Sequence, residues 1–555
     1  MHMELRMLVA IVLSFLVFFV YQALFVKKVP VTEKQPEGKT EVVHGQQPPK
    51  EKAVRTLPEK PSVEKAIAPR AERPVRKITV STGLYEAELT EKGAGFRSFK
   101  LKKYRESLAA DSPMKQLIRL PGEMQYTPRL SLPEEDLPQL DHAVFRAETD
   151  SDHIDATKAE KSLTFTWISP DGVTILKTYS FLPNTYKIGL KVTIKNLSSR
   201  SIGKKLMLSL RNKVNQDKKS RYVFSGPAAL IDNNLKEIKL KKIASENYHE
   251  GNIRWIAYED LYFVSAITPE KVRKAAMSLH MGPKGVLETT YEALSEPVLP
   301  KSERIYLYNL YFGPKSIQSL KQAGSGLEKM VDFGFFDIIA KPLFYLMTFM
   351  YRYIPNYGVA IIIITLLTKL LFWPLSNKSY KSMDQMKRLQ PMMAEIREKY
   401  KDDKQMMNKE LMNLYKVYKV NPLGGCLPMI LQIPVFFAFY KMLYEAIELR
   451  HAPFCLWIND LSAPDRLFTF NFKVPLMAPP YGIPMLTIIM GISMFFQQKM
   501  SPPPGDPAQA KIMLFMPILF TFIFINFPSG LVLYWLVNNV LSMIQQYYIT
   551  KKTTQ

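Results

Sequence analysis

The chain has 555 residues, a formal net charge of +24 and a mean hydropathy of −0.08. Its length allows two or three domains, and its mean hydropathy excludes a chain that lies in a membrane throughout. Such a charge could indicate nucleic acid, but with apolar runs present it is typical of basic cytoplasmic loops and attraction to anionic lipid. We therefore predict a lipid bilayer and no specific nucleic acid among its partners.

The N-terminal residues predict a membrane anchor and a tether. Residues 7–26 form an apolar run of 20 residues without a small-residue cleavage site, long enough to cross about 30 Å as a helix. We predict an uncleaved transmembrane signal-anchor over residues 1–27. Residues 28–77 are rich in Pro, Lys, Glu and Gln without apolar periodicity, which predicts a disordered periplasmic tether.

Between residues 78 and 330 the apolar residues recur with a period of two, as in half-buried strands. The cleanest alternating run consists of Tyr186, Ile188, Leu190, Val192 and Ile194. Short runs of this kind between turn residues predict an antiparallel β-sandwich domain. Its histidines are scattered, and it has no nucleophile elbow or phosphate loop. A scaffold or binding domain is therefore favoured over an enzyme.

Residues 331–356 are apolar and aromatic, but Asp337, Lys341 and Arg352 interrupt them. The uninterrupted run is too short to span a bilayer, so we predict an amphipathic helix lying along the membrane interface. A core helix of the β-sandwich domain is the alternative.

Residues 357–550 are predicted to form a five-span helical core, which gives six transmembrane helices with the anchor. Its apolar runs are 358–375, 427–447, 481–496, 512–527 and 531–549. The clean parts of two of them, 427–440 and 512–527, have only 14 and 16 residues. Helices of that length would span about 21 and 24 Å and thin the bilayer locally.

The segment 376–425 is strongly basic, with eleven Lys/Arg against six Asp/Glu. Methionines and leucines recur in it at helical spacing, which predicts a helical hairpin. The methionine stripe is either the seam of this hairpin or a soft docking face for another protein. Because basic loops lie in the cytoplasm, we predict that the hairpin and both chain termini, including the short tail 551–555, are cytoplasmic and the β-sandwich periplasmic.

Polar side chains within the apolar runs mark the candidate site, because in lipid they must face one another or a wet cavity. They are Thr365, Lys369, Gln432, Gln497, Gln498, Asn538, Asn539, Gln545 and Gln546. Lys369 lies six residues before the predicted end of its helix and has no evident intramembrane carboxylate partner. It either snorkels to the interface or lies in a hydrated pocket, where it could attract acidic residues of a polypeptide.

Motifs in this core resemble those of the YidC family of membrane-protein insertases. They are N-P-L-G-G-C-L-P at 421–428 with Q-I-P at 432–434, I-I-I-I-T at 361–365, M-S-P at 500–502 with D-P at 506–507, and P-S-G-L-V-L-Y-W at 528–535. The layout is similar to the Gram-negative form. The resemblance implies an inner-membrane insertase without metal or nucleotide, whose periplasmic domain is a β-supersandwich like that of sugar mutarotases.

The resemblance also implies site residues. The groove cation falls on Lys369, four residues after Thr365; many members carry Arg there, and Lys keeps the charge but loses bidentate carboxylate contact. The aromatic and polar groove positions fall on Gln432, Met494, Gln497, Tyr534 and Trp535. The family's substrate-recruiting region falls on the hairpin, with the candidate residues Met383, Met386, Lys387, Arg388, Met407 and Tyr418.

The partners implied are nascent membrane proteins and the Sec translocon. The extended basic tail with which some members hold ribosomes has no match here, so contact with ribosomes or targeting factors is implied only through the hairpin. A secondary transporter would need paired repeats and acidic midplane ligands, and a periplasmic carbohydrate enzyme would need a His/Glu constellation. The sequence shows neither pattern.

Overall fold

The period-two segments form strands in the computed structural model, which describes residues 74–121, 126–132, 137–203, 205–214, 224–294, 296–420, 427–500 and 507–554. The predicted anchor 1–27, nearly all of the tether 28–77 and the motif residues 421–426 lie outside these ranges. The described residues belong to one compact unit, Arg73–Gln555.

The strands of the N-terminal domain begin near the predicted boundary. In chain order they are β1 Lys77–Ser81, β2 Tyr85–Thr90, β3 Gly95–Arg105, β4 Met114–Gln116, β5 Arg129–Ser131, β6 Arg146–Ala147, β7 His153–Asp155, β8 Lys161–Ile168, β9 Val173–Phe181, β10 Lys187–Asn196, β11 Lys205–Lys213, β12 Gly226–Ile231, β13 Asn234–Glu237, β14 Tyr248–Glu259, β15 Phe263–Pro269, β16 Arg273–Met281, β17 Val286–Leu294 and β18 Ser302–Pro314.

These strands form two sheets. The five-stranded sheet has the order β4-β3-β2-β1-β7, and the thirteen-stranded sheet the order β5-β11-β17-β16-β14-β15-β18-β10-β9-β8-β6, with β12 and β13 attached to β14. The long pairs β9–β10 and β10–β18 are antiparallel, whereas β1 and β7 pair in parallel. All five apolar residues of the run 186–194 are buried, which confirms the period-two prediction.

Aromatic side chains join the two sheets into a sandwich. Phe96 of β3 packs edge-on against Tyr179 of β9, with 5.3 Å between ring centroids. Phe99 lies 5.2 Å from Phe312 of β18. All four rings are buried, so they form the core between the layers, and the predicted sandwich is present.

Helices dominate the chain after β18. They are α1 Ile317–Ala323, α2 Asp337–Tyr353, α3 Tyr357–Leu371, α4 Trp373–Arg388, α5 Gln390–Lys399, α6 Lys404–Val417, α7 Leu427–Glu445, α8 Met485–Met500, α9 Pro507–Phe524 and α10 Ser529–Thr554. Between α7 and α8 lies a small hairpin of β19 (Leu467–Phe470) and β20 (Tyr481–Ile483). Short 3-10 helices cover Pro138–His142, Leu240–Lys242, Pro283–Gly285, Leu327–Met330, Gly334–Phe336 and Ile447–Leu449.

Helix α10 is the centre of the bundle, because it packs against α3, α4, α7 and α8. Helix α9 packs on α8, and α2 packs on α7 and α3. Ala340, Phe344 and Met347 form the buried face of α2, while Ile338 and Tyr353 are exposed. This packing favours a helix attached to the bundle over a core helix of the sandwich. Its interfacial position stays a prediction.

Several helix boundaries differ from the predicted runs. The run 358–375 is broken at Phe372, where α3 and α4 meet at 66°. Pro374 stands in the first turn of α4, where its missing N–H is tolerated but a continuous helix is not. The run 481–496 starts as strand β20, and α8 begins only after Pro484.

Two helices are longer than their apolar runs. Helix α7 has 19 residues and α9 has 18, so they extend about 28 and 27 Å. An ion pair of 3.0 Å between Lys441 and Glu445 accompanies the extra turn of α7. The added turns carry polar residues, so the apolar lengths are unchanged and the local thinning stays a prediction.

Within the ranges given above, no single helix has both the length and the hydropathy of a membrane span. Helices α3 and α4 meet the two requirements only together, as a bent pair.

The sandwich and the bundle touch through the segment after α7. The Arg450 guanidinium donates to the carbonyl oxygen of Arg105 at 2.6 Å and lies 5.5 Å from the centroid of the Phe263 ring. Tyr262 of the sandwich is hydrogen-bonded to Ser462. The loop 446–484 therefore lies on the sandwich side of the bundle.

Candidate functional site

Lys369 is held at the contact between α3 and α10. Its side chain is 9% exposed, and its Nζ donates to the Oγ of Ser542 at 2.6 Å. The Ser542 hydroxyl donates in turn to the carbonyl oxygen of Asn538, one helical turn earlier, at 2.7 Å. It is also hydrogen-bonded to Tyr380 of α4. The cation thus points into the bundle.

Gln432 joins α7 to the same face of α10. Its Nε2 donates to the Oδ1 of Asn538 at 2.8 Å, and its side chain is hydrogen-bonded to the Tyr534 hydroxyl. Tyr534 is buried and stacks on Phe439 of α7, with 4.4 Å between centroids. Buried amides and hydroxyls in a membrane protein need such partners.

These side chains line a cavity of about 20 Å³. Its lining residues are Thr368, Lys369, Phe372, Leu375, Ser376, Gln432, Val435, Tyr534 and Asn538. One wall is thus the bend between α3 and α4, and the others are α7 and α10. A cavity of this size holds about one water.

The charge of Lys369 is not neutralised by a carboxylate in the part of the chain that the structure describes. A buried cation paired only with a neutral hydroxyl keeps a strong attraction for anions. The prediction left two positions open for Lys369, and its burial against α10 favours the pocket over snorkelling.

The other predicted groove residues lie around this cavity to different degrees. Thr365 is buried one turn before Lys369 and donates its hydroxyl to the carbonyl oxygen of Ile361 at 2.6 Å. Trp535 packs against Phe436 and Phe520, with centroid distances of 4.7 and 6.0 Å. Met494 and Gln497 are half-buried on α8 and do not line the cavity. The structure therefore brings together Lys369, Gln432 and Tyr534.

Sequence reasoning did not include Ser542 and placed Asn538 only among polar residues of the spans. The available signal was their spacing of four residues, which puts both on one helix face. The neighbouring polar residues join helices: Asn539 donates to Ser493 Oγ at 3.1 Å, and Gln545 to Asn377 Oδ1 at 3.1 Å.

The predicted hairpin is formed by α5 and α6. Its buried cluster consists of Leu389, Met393, Leu411, Leu414 and Val420, with Met386, Ile396, Met407 and Tyr415 packed against it. The methionine stripe is therefore mainly the seam. Helix α4 packs mainly on α7 and α10, and its last turn reaches the cluster through Met386. The helix is interrupted at Leu389, two residues before Pro391.

The remaining recruitment candidates lie on α4 and just after α6. Met383 is half-buried, whereas Lys387 and Tyr418 are exposed. Arg388 is exposed and forms an ion pair of 3.2 Å with Asp384. The end of α4 and the residue after α6 thus offer an exposed surface with both basic and aromatic side chains.

Two family models match this chain. The one described as "60Kd inner membrane protein" matches residues 349–555, and the one described as "YidC periplasmic domain" matches residues 77–346. Together with the fold, these matches define the class: an inner-membrane protein that carries a large periplasmic β-domain on a helical core.

Relatives make the assignment specific. The chain is 41% identical over 560 residues to a membrane protein insertase YidC of Syntrophus aciditrophicus, covering 99% of this chain and 100% of the relative. It is 42% identical over 560 residues to that of Pelobacter propionicus, covering 99% of each. The chain belongs to the YidC family.

A solved structure entitled "Active YidC insertase crystal structure with the first transmembrane domain resolved" aligns with 17% identity and a TM-score of 0.37. The alignment covers 86% of this chain and 93% of that chain. The assignment accordingly rests on the sequence relatives.

Proposed function

We propose that this protein is a membrane protein insertase. It moves short hydrophilic segments of nascent inner-membrane proteins across the bilayer through a cationic groove and then releases their apolar segments into lipid. The observation that carries the proposal is Lys369, a buried cation on Ser542 that shares a cavity with Gln432 and Tyr534.

The catalytic principle is a lower barrier without covalent chemistry or a cofactor. A charged residue at the bilayer centre costs a few kcal/mol or more. An acidic side chain that accepts from Lys369 Nζ beside Ser542 gains a charge-assisted hydrogen bond in a low-dielectric site, since a lysine ammonium group has three donors. A reduction of about 2.7 kcal/mol in the barrier accelerates crossing about a hundredfold.

The cavity must widen when a segment enters. At about 20 Å³ it is far smaller than a peptide, so α7 must separate from α3 and α10. The wall formed by α3 and α4 bends at Phe372. The polar contacts of Gln432 with Asn538 and Tyr534, which join α7 to α10, are those that open. Closure restores them and expels the apolar segment into lipid.

The proposal includes topology and partners. Six transmembrane helices place both termini and the α5–α6 hairpin in the cytoplasm. The exposed surface formed by Lys387 and Arg388 at the end of α4 and Tyr418 just after α6 receives nascent membrane proteins, or ribosomes and targeting factors. Insertion proceeds alone or beside the Sec translocon.

The test is complementation of an insertase-depleted bacterium by this chain and its Lys369 variants. Insertion of a small membrane protein with an acidic translocated segment is read by protease accessibility. Wild type and Lys369→Arg are expected to rescue, because both carry the positive charge. Lys369→Ala should insert this substrate poorly, and Lys369→Glu should fail because it repels the acidic segment.

Lys378→Glu is the matched control, since Lys378 is an exposed lysine of α4. It changes the net charge by the same amount as Lys369→Glu does, and it should rescue the depleted bacterium. Rescue by Lys369→Glu would contradict the role of the groove cation. Failure of expressed, membrane-inserted wild type would contradict the insertase proposal itself.

A further inference from the structure

The loop between α7 and α8 exposes three large apolar side chains to an unusual extent. Phe468, Phe472 and Leu476 are 73%, 65% and 79% exposed. The segment 467–484 contains a single charged residue, Lys473. Exposed apolar residues scattered singly are normal, but three within nine residues indicate an interaction surface. We call Phe468, Phe472 and Leu476 the loop patch.

The backbone holds two members of the patch in a conformation that side chains rarely adopt. Phe468 has a φ of 53° and Leu476 a φ of 63°, both in the left-handed region. Phe468 sits at the irregularity in the β19–β20 pairing, where the register shifts between Leu467 and Thr469. Bulges of this kind re-aim a side chain. The strain persists because the surrounding contacts enforce it.

Those contacts fasten the loop to the end of α9. Arg466 donates to the carbonyl oxygens of Pro480 and Ile525, both at 2.9 Å. Asn526, just after α9, donates to the carbonyl oxygen of Leu476 and accepts from the amide of Ala478, both at 2.7 Å. These hydrogen bonds therefore hold the loop that carries the patch in a fixed conformation.

Asp465 ties the same loop to the start of α8. It is buried, and its carboxylate accepts from the Leu486 amide at 2.7 Å and the Thr487 hydroxyl at 3.0 Å. It thus caps the N-terminus of α8 from 20 residues earlier in the chain. The position of the patch is consequently set relative to the helix that begins beside it.

We propose that the loop patch is embedded in the bilayer at the acyl–headgroup boundary of the periplasmic leaflet. The occupant is lipid because the two helices whose ends hold this loop also carry exposed apolar side chains. Ile488, Ile489 and Ile492 of α8 and Ile518, Phe522 and Ile523 of α9 are exposed. Lys473, which directly follows Phe472, suits phosphate headgroups.

The side of the membrane follows from contacts already described. The loop reaches the sandwich through Arg450 and Tyr262, and in this family that sandwich is the periplasmic domain. The patch therefore fixes the depth of the periplasmic ends of α8 and α9. This inference does not depend on insertion activity.

The test uses full-length protein in proteoliposomes of phosphatidylethanolamine and phosphatidylglycerol, with Cys426 and Cys455 replaced by Ser. An environment-sensitive NBD fluorophore is attached at Leu476→Cys or Phe472→Cys. Leu197→Cys is the matched control, because Leu197 is a similarly exposed leucine (71%) of the sandwich. The patch probes should show blue-shifted emission, several-fold weaker quenching by aqueous iodide than Leu197→Cys, and quenching by shallow doxyl lipids.

A second pair of variants keeps the outcome interpretable. Phe468→Ser with Phe472→Ser should abolish the doxyl quenching of the Leu476→Cys probe, whereas Phe468→Leu with Phe472→Leu should retain it. Iodide access equal to that of Leu197→Cys would overturn the proposal. Shielding from iodide without doxyl quenching would also overturn it, since a protein or a second copy would then cover the patch.

Discussion

The Nζ atom of Lys369 lies 2.6 Å from the Oγ atom of Ser542, so a neutral hydroxyl on α10 holds the buried cation of α3. The same hydroxyl interacts with the backbone of Asn538 and the side chain of Tyr380. This arrangement orients the cation without neutralising it. In the proposed function, an acidic guest therefore binds Lys369 beside Ser542.

Ser542→Ala should reduce insertion of substrates with acidic translocated segments by up to about tenfold, less than Lys369→Ala does. A hydrogen bond to a charged group contributes about 1.5–3 kcal/mol, and only part of it is lost because the charge remains. Ser542→Thr retains the hydroxyl and should behave as wild type. The measurement is protease protection of acidic and neutral substrates; an equal loss for both would contradict orientation of the charge.

Gln432 and Asn538 should be energetically coupled. We expect Gln432→Leu and Asn538→Leu each to destabilise the bundle, with a coupling of about 0.5–2 kcal/mol between them. Thermal unfolding in detergent of the two single variants and the double variant measures it. Additive single effects would show that the 2.8 Å contact contributes no coupling.

The sequence predicted the strands of the sandwich because the alternation of buried and exposed residues is visible within each short segment. The alternation from Tyr186 to Ile194 assigns each residue of β10 to a face, and all five are buried. The hairpin seam followed from helical spacing in the same way. Both predictions need only the spacing of apolar residues that are close together in the sequence.

The sequence alone could not resolve features that depend on distant residues. The position of Lys369 depends on the rotation of α3 toward Ser542, 173 residues later. The start of α8 depends on Asp465, which caps it across the loop. Such contacts leave no periodic signal, so the alternative of a snorkelling lysine stayed open and α8 was predicted four residues early.

Lys315→Met should destabilise the sandwich by about 3–5 kcal/mol. Lys315 and Glu259 form a buried ion pair of 2.5 Å, and removing one partner leaves an uncompensated charge. Adding Glu259→Gln should recover much of the loss. Thermal unfolding of the full chain in detergent tests this, and a double variant no better than Lys315→Met would contradict it.

The Lys315→Met defect should also grow with pH. Burial raises the pKa of Glu259, and the charge of Lys315 opposes that rise. Without Lys315 the folded state keeps a proton that the unfolded state releases above its usual pKa of 4.5. Unfolding free energy then falls as pH increases, so the deficit relative to wild type should be larger at about pH 8 than at about pH 5.

Lys177 gives a pH dependence of the opposite sign. It is fully buried, donates to the carbonyl oxygen of Gly93 at 2.9 Å, and burial lowers its pKa to about 7 from 10.5. Between these values the unfolded state binds more protons, so wild-type stability should rise with pH relative to Lys177→Met, by up to about 1.4 kcal/mol per pH unit. Parallel unfolding curves of the two proteins from about pH 7 to 10 would contradict it.

The hairpin offers two adjacent residues of α6 with opposite environments. Leu411 is 8% exposed in the seam, whereas Met412 is 50% exposed. Leu411→Ala should destabilise the hairpin by about 2–4 kcal/mol, because it leaves a cavity against Met393 and Leu414. Amide exchange of residues 390–417 should accelerate in Leu411→Ala and stay unchanged in Met412→Ala. Since alanine has a higher helix propensity than leucine or methionine, equal acceleration in the two variants would show that the buried seam is not what holds α5 and α6 together.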